Sequence, residues 1–182
     1  MKKASTKKAK TIFFRYHGNG YQMASDSMWD AYKSYGIGKE QEEKWIETYF
    51  QKDILKLDIN SFKTIDDIIG ILLNYYKDIY LYKILIFVNS NINNISNPYV
   101  SIYIANQLIK ILSIQYIAIT NDLCTLISNT IKQLILNNDH LILPVGYKIP
   151  NFELHKHHIS ESQEEYIKRE QLEILNEIEK RC

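Results

Sequence analysis

Apolar residues recur along most of this chain at intervals of three and four, the spacing that gathers them on one side of an α-helix. In FKTIDDIIGILLNYY the positions Ile65, Ile68, Ile69, Leu72, Leu73 and Tyr76 make one continuous stripe, and Thr64 with Asp67 three residues on supplies the N-terminal cap. Lys77-Asp78 is a joint, after which Leu81, Ile84, Leu85 and Val88 make a second stripe that dies in the Asn/Ser-rich segment NSNINNISN. Asn97 and Pro98 are a cap and first-turn pair. They open a helix with one apolar row at Val100, Ile104, Leu108, Ile111 and Leu112 and another at Ile102, Ala105 and Ile109, which predicts a central position. Thr120, Asn121 and Asp122 start the next, with Leu123, Ile127, Ile131 and Leu134 in register and Asn137-Asn138 at its end.

These two helical hairpins, Thr64–Val88 and Pro98–Asn137, resemble HEAT or armadillo units in period and pattern alone. On the N-terminal side, Ser25 or Asp26 caps a short helix with Met28, Trp29, Tyr32 and Tyr35 on one face, and Gly36 ends it. A further helix begins near Gly38, with Lys39–Glu43 and Glu40–Lys44 on the wet face and Trp45, Ile46, Tyr49 and Phe50 opposite. Residues 53–62 read as connection, and Ile12–Phe14 as a short strand running into a turn. On the C-terminal side, residues 140–154 hold two prolines and a glycine and predict an extended arm. Ser160-x-x-Gln163 is a capping box for a last helix whose narrow row Ile167, Ile174, Leu175 and Ile178 fits an edge or a partner.

The fold class expected is therefore mostly α, with about seven helices. One α-helical domain over residues 11–182 is expected, made of an N-terminal strand, turn and helical hairpin (11–60), a helical core (61–138), and the arm with the edge helix (139–182). Six glycines and three prolines in 182 residues fit that class, because multi-hairpin sheets consume turn residues. The abundance of Ile, 30 residues, and of Asn, Lys and Tyr is the bias an AT-rich genome produces and says little about chemistry.

Charge adds an asymmetry. Lys2, Lys3, Lys7, Lys8 and Lys10 bring five positive charges into residues 1–10, so removing them from the net +1 leaves residues 11–182 at −4. Residues 1–10 are expected as a disordered basic tail, the one part of the chain suited to RNA or a membrane surface, since the acidic body lacks the basic face of a nucleic-acid-binding domain. No signal peptide or membrane span is expected, because the apolar run at Ile12–Phe14 is brief and the most apolar stretch, residues 102–119, contains Asn106, Gln107, Lys110 and Gln115. Two cysteines as far apart as Cys124 and Cys182 make no disulfide framework and no CxxC motif, which fits a reducing, cytoplasmic setting.

Candidate chemistry concentrates in FRYHGNGYQM, residues 14–23. Arg15, His17, Asn19 and Tyr21 surround a Gly-Asn-Gly turn, either as a structural turn or as a binding loop. The nucleophile elbow GxSxG and the phosphate loops GxGxxG and GxxxxGK[ST] are absent, so no cofactor is expected. Tyr16-His17-Gly18 followed by the helix over Met28–Tyr35 and by Gly36-Ile37 is similar in outline to the first motif of the His-Tyr-Glu ADP-ribosyltransferases. The resemblance covers Tyr16–Ile37 alone, with Asn19 where the family carries a hydroxyl residue, and it implies a nucleotide-handling role for Arg15, His17 and Asn19 on a β-sandwich. His155, His157 and His158 form a second cluster, either a solvated loop or, if extended, a pair at i and i+2 that shares a metal. Tyr75, Tyr80 and Tyr82, spread around the joint between two helices, read as a recognition surface or as hairpin packing. Together these features point to a small binding protein for a protein partner, of the inhibitor or immunity type, that occludes a basic toxin or enzyme.

Overall fold

The computed structural model describes residues 2–114, 117–138, 140–158 and 160–181, with side chains from Ser5 onward. Among the described residues it contains ten α-helices and no strand. The all-α class is as expected, while the helix number is larger and the N-terminal strand is absent. The chain divides into two compact units, Met1–Leu57 with Lys63–Ile84, and Asp58–Phe62 with Leu85–Cys182. The division falls inside the block expected as one helical core, between Ile84 and Leu85.

In the first unit, α1 (Lys2–Arg15) takes in both the expected disordered tail and the expected strand. Its anchoring stripe begins with an alanine: Ala9, Phe13 and Tyr16 are all buried, at i, i+4 and i+7, while Lys7 and Lys8 stay in water. Phe13 makes aromatic contacts with Trp45, Tyr32 and Tyr75 at centroid distances of 5.6, 6.3 and 5.7 Å. Burial of that ring holds the lysine-rich segment in helical form.

Of the helix expected from Ser25 to Gly36 only the short α3 (Trp29–Lys33) forms; α2 (Gly20–Ser25) precedes it, in the segment expected as a turn, and Ser27 takes a positive φ of 56° between the two. α4 (Lys39–Thr48) carries the expected Glu40–Lys44 ion pair at 2.6 Å. It continues into a π-helical turn, Tyr49–Asp53, and a 3-10 turn, Ile54–Lys56. The segment expected as connection thus begins helical, with Ile54 and Ile59 buried. α5 (Phe62–Asn74) buries Ile65, Ile68, Ile69, Ile71 and Leu72, and α6 (Asp78–Asn91) follows. The Asn-rich loop is shorter than expected, since α6 reaches Asn91 and a 3-10 turn follows over Ile92–Asn94.

In the second unit, α7 (Pro98–Leu112), α8 (Asn121–Asn137) and α10 (Gln163–Arg181) pack on one another. Their shared core is aliphatic: Val100, Ile104, Leu108 and Ile111 of α7, Ile127, Ile131 and Leu134 of α8, and the row Ile167, Ile174 and Ile178 of α10 are all buried. The caps expected at Asn97 and Thr120 are present, the first accepting from the Tyr99 N–H at 2.9 Å and the second from the Leu123 N–H at 3.3 Å. The capping box of α10 lies two residues later than expected. The Ser162 N–H donates to Glu165 Oε2 at 2.8 Å and the Glu165 N–H donates to Ser162 Oγ at 3.2 Å. Gln163 instead accepts from the Ile149 N–H at 3.0 Å, tying the arm to the helix. The arm is irregular, apart from the short α9 (Phe152–His155). Cys124 is disulfide-bonded, contrary to expectation, and Cys182 lies outside the described residues. No described helix is long and apolar enough to cross a membrane.

Candidate functional site

The loop after α1 is a helix stop. The Gly18 N–H donates to the Phe13 carbonyl at 2.8 Å and the His17 N–H to the Phe14 carbonyl at 3.2 Å, the paired bonds of a Schellman motif. His17 takes the left-handed position, at φ 51°, where glycine is usual, and Gly18 follows at φ 70°. Contacts to α5 hold His17 there. Its Nε2 lies 3.0 Å from Asp67 Oδ1, and its ring lies so close to Gly70 that a β-carbon there would come within 2.6 Å of Nδ1. Asp67 is also paired with Lys63 across one helical turn, at 2.5 Å.

Asn19 and Gly18 are engaged by the chain as well, while Arg15 and Tyr21 are exposed. Asn19 Oδ1 accepts from the backbone N–H groups of Tyr21 and Gln22 at 3.0 and 3.2 Å and caps α2. The Gly18 carbonyl accepts from the Tyr75 hydroxyl at 3.3 Å, and Tyr75 covers that glycine so tightly that any β-carbon would collide with it. Arg15 ends α1 with its guanidinium 5.6 Å from the Tyr16 ring, and Tyr21 is 92% exposed. Arg15, His17, Asn19 and Tyr21 thus converge on no common volume. The loop also follows a helix in an all-helical setting, which removes the strand and sandwich that the ADP-ribosyltransferase outline requires.

The tyrosine group separates in the same way. Tyr80 is buried and stacked on Phe50 at 4.6 Å, so it is packing rather than exposed recognition surface. The two rings border a groove of about 250 Å³ edged by Glu43, Glu47, Lys77 and Lys83. Tyr82 is half exposed. Burial, with a smaller contribution from Glu42, pushes the Tyr75 hydroxyl up to about 12.

A larger concavity lies in the second unit, a cleft of about 580 Å³ with α7 on one side and α10 on the other. From α7 it takes Tyr99, Tyr103, Asn106, Gln107 and Lys110, the helix's one polar stripe, at i, i+4, i+7, i+8 and i+11. From α10 come Tyr166, Arg169, Glu170, Glu173 and Glu177 at matching intervals, and His155 and His157 sit at its edge. Phe62 braces the α7 side, edge-on to Tyr99 at 5.7 Å and to Tyr103 at 4.9 Å.

Arg169 organises the α10 side. Its Nε donates to Glu161 Oε1 at 2.9 Å, its Nη1 to Glu170 Oε1 at 2.8 Å and Glu173 Oε1 at 3.1 Å, and its Nη2 to the His155 carbonyl at 3.1 Å. The guanidinium also lies 5.1 Å from the Tyr166 ring centre. The bond from Arg169 holds Glu161 below the usual carboxylate range, and the same bond holds Arg169 further above its ordinary value. Burial, followed by the charge of Glu170, pushes Tyr166 up to about 12, and burial likewise raises Tyr99.

The histidine cluster does not line up as an extended pair. His155 ends α9, His157 sits in a bend with its N–H on Glu161 Oε2 at 2.8 Å, and His158 is exposed. Among the described residues no group of three or more His, Cys, Asp or Glu is placed to hold a metal. Sequence reasoning missed the cleft because its residues are scattered over two helices; the signal was the polar row Tyr99-Tyr103-Gln107-Lys110 on an otherwise apolar helix. No protein-family model, curated protein or solved structure matches this chain.

Proposed function

We propose that this chain is a small helical protein-binding module of the inhibitor or immunity type, whose partner is a basic toxin or enzyme that it occludes. The observation that carries the reading is the α7–α10 cleft, an open polar concavity of about 580 Å³ with tyrosines on both sides and three carboxylates along α10. Its size is that of a ligand site, yet its groups are those of recognition: aromatics that offer contact area at low entropy cost, and charges that orient. The charge of −4 over residues 11–182 suits a basic partner by steering as well as by contact.

The test is co-expression with the products of the neighbouring genes, followed by purification and determination of the mass of the complex. The expected result is a stable complex of defined stoichiometry that survives gel filtration at about 0.15 M salt and weakens as salt rises. Recovery of the chain alone from every such pairing would overturn the reading. A thermal-shift screen with nucleotides and NAD supplies the opposite check, since stabilisation that His17→Ala abolishes would favour a nucleotide-handling loop instead.

A further inference from the structure

We propose that the α7–α10 cleft receives an arginine- or lysine-bearing segment of the protein partner, with the cationic head group held between the α7 tyrosines and the α10 carboxylates. The inference rests on the protein-binding reading above and adds the chemistry of the occupant. Two cations line the cleft, Lys110 and Arg169, and an anionic ligand would need them. Arg169 is not open to one. A guanidinium has five N–H groups, and four hydrogen bonds already join this one to three carboxylates and a carbonyl. A phosphate or carboxylate arriving there would displace those bonds and meet the same carboxylates at close range. Like charges at such distances repel.

The carboxylates, by contrast, keep capacity for a second cation. Glu170 and Glu173 hold Arg169 through Oε1 alone, and Glu177 holds Arg181 through Oε1 alone. The second oxygen of each of the three takes no part in these bonds. Three carboxylates against two cations leave the lining at −1, and the residues facing them on α7 are a braced tyrosine pair and two amides. Tyrosine rings attract cations through their π faces, and carboxylates take guanidinium in paired hydrogen bonds. The molecule already uses this combination internally, where Arg169 rests against Tyr166 among glutamates.

The probe is N-acetyl-arginine amide, titrated into the isotope-labelled full chain and followed by amide chemical shifts. N-acetyl-citrulline amide, the neutral isostere, and inorganic phosphate are the comparisons. Saturable shifts confined to α7 and α10 are expected with the arginine compound, with citrulline at least tenfold weaker and no phosphate site in the cleft. Because Glu173 also holds Arg169, a second variant acts on the exposed lysine of α7. Glu173→Lys should weaken arginine binding about tenfold, and Lys110→Glu should tighten it about two- to fivefold, the usual effect of a rim charge. Equal binding of citrulline, phosphate binding in the cleft, or weakening by Lys110→Glu would each overturn the proposal. Where a protein partner is in hand, a complex unaffected by both substitutions sinks the cationic occupant and leaves the binding-module reading standing. If no partner binds at all, it is the module reading that fails.

Discussion

The loop at residues 14–23 and the cleft between α7 and α10 contain similar residues and use them in opposite ways. Both hold tyrosines, an arginine, histidine and side-chain amides. In the loop, the groups around the turn meet other atoms of the chain, while Arg15 and Tyr21 point into solvent: His17 meets Asp67, Asn19 meets the first N–H groups of α2, and the Gly18 carbonyl meets Tyr75. In the cleft the equivalent groups border open volume, and the arginine bonds of each α10 carboxylate run through one oxygen. A conspicuous local motif can therefore be architecture, while a site is assembled from positions that no short window displays. What separates them is the space a ligand needs, which only the packed chain defines.

The sharpest way to break this contrast is to remove the residue that makes the loop architectural. Phe13 is fully buried among Trp45, Tyr32 and Tyr75, so Phe13→Ala should destabilise the protein by about 3–5 kcal/mol in urea denaturation. A change below about 0.5 kcal/mol, the range of a surface position, would mean that residues 2–15 behave as a tail and that α1 contributes nothing to the fold.

Next in size is Gly70→Ala. Alanine is the better helix former by about 1 kcal/mol, yet a β-carbon here would lie 2.6 Å from the His17 ring, and overpacking of this kind costs about 1–3 kcal/mol. Net destabilisation is expected. It should vanish in the His17→Gly background, where the ring is gone and the left-handed position is relieved. A double-mutant cycle showing no coupling between the two sites would remove the loop's anchoring contact from the account.

Much of this was legible beforehand because caps and stripes are local. Asn97, Thr120, the Glu40–Lys44 pair and the Ile65–Leu72 stripe all stand where the pattern puts them. The misses share one cause, the override of local pattern by a distant contact. Residues 2–10 read as tail because Ala9 is a weak apolar signal, and only the aromatic cluster around Phe13 makes that face worth burying. Tyr80 read as either recognition surface or packing, and its stacking on Phe50, thirty positions away, decides for packing. The cleft needed two stripes to face each other, which follows from the packing of α7 on α10 and from no property of either helix alone.

A titration sharpens the cleft side of the comparison. Glu161 is held below the ordinary carboxylate value of 4.5 by Arg169. A carboxylate whose folded value is depressed stabilises the fold above its unfolded value, and that contribution is lost as pH falls through the folded one. Denaturation midpoints measured between about pH 6 and pH 3 should therefore fall, and fall less steeply in Glu161→Gln. Parallel profiles for the two proteins would show that the Arg169 cluster does not couple to stability.

The smallest expected effects lie side by side in the loop, at Asn19 and Tyr21. Asn19 caps α2 with two N–H contacts, so Asn19→Ala should cost about 1 kcal/mol, the usual value of a cap. Tyr21 is 92% exposed, and Tyr21→Ser should change stability by no more than about 0.5 kcal/mol. Both variants should leave binding to a purified partner within about twofold, because neither residue lines the cleft. A partner lost on Tyr21→Ser with stability unchanged would reverse the assignment, making the loop the recognition surface and the cleft an incidental gap between two helices.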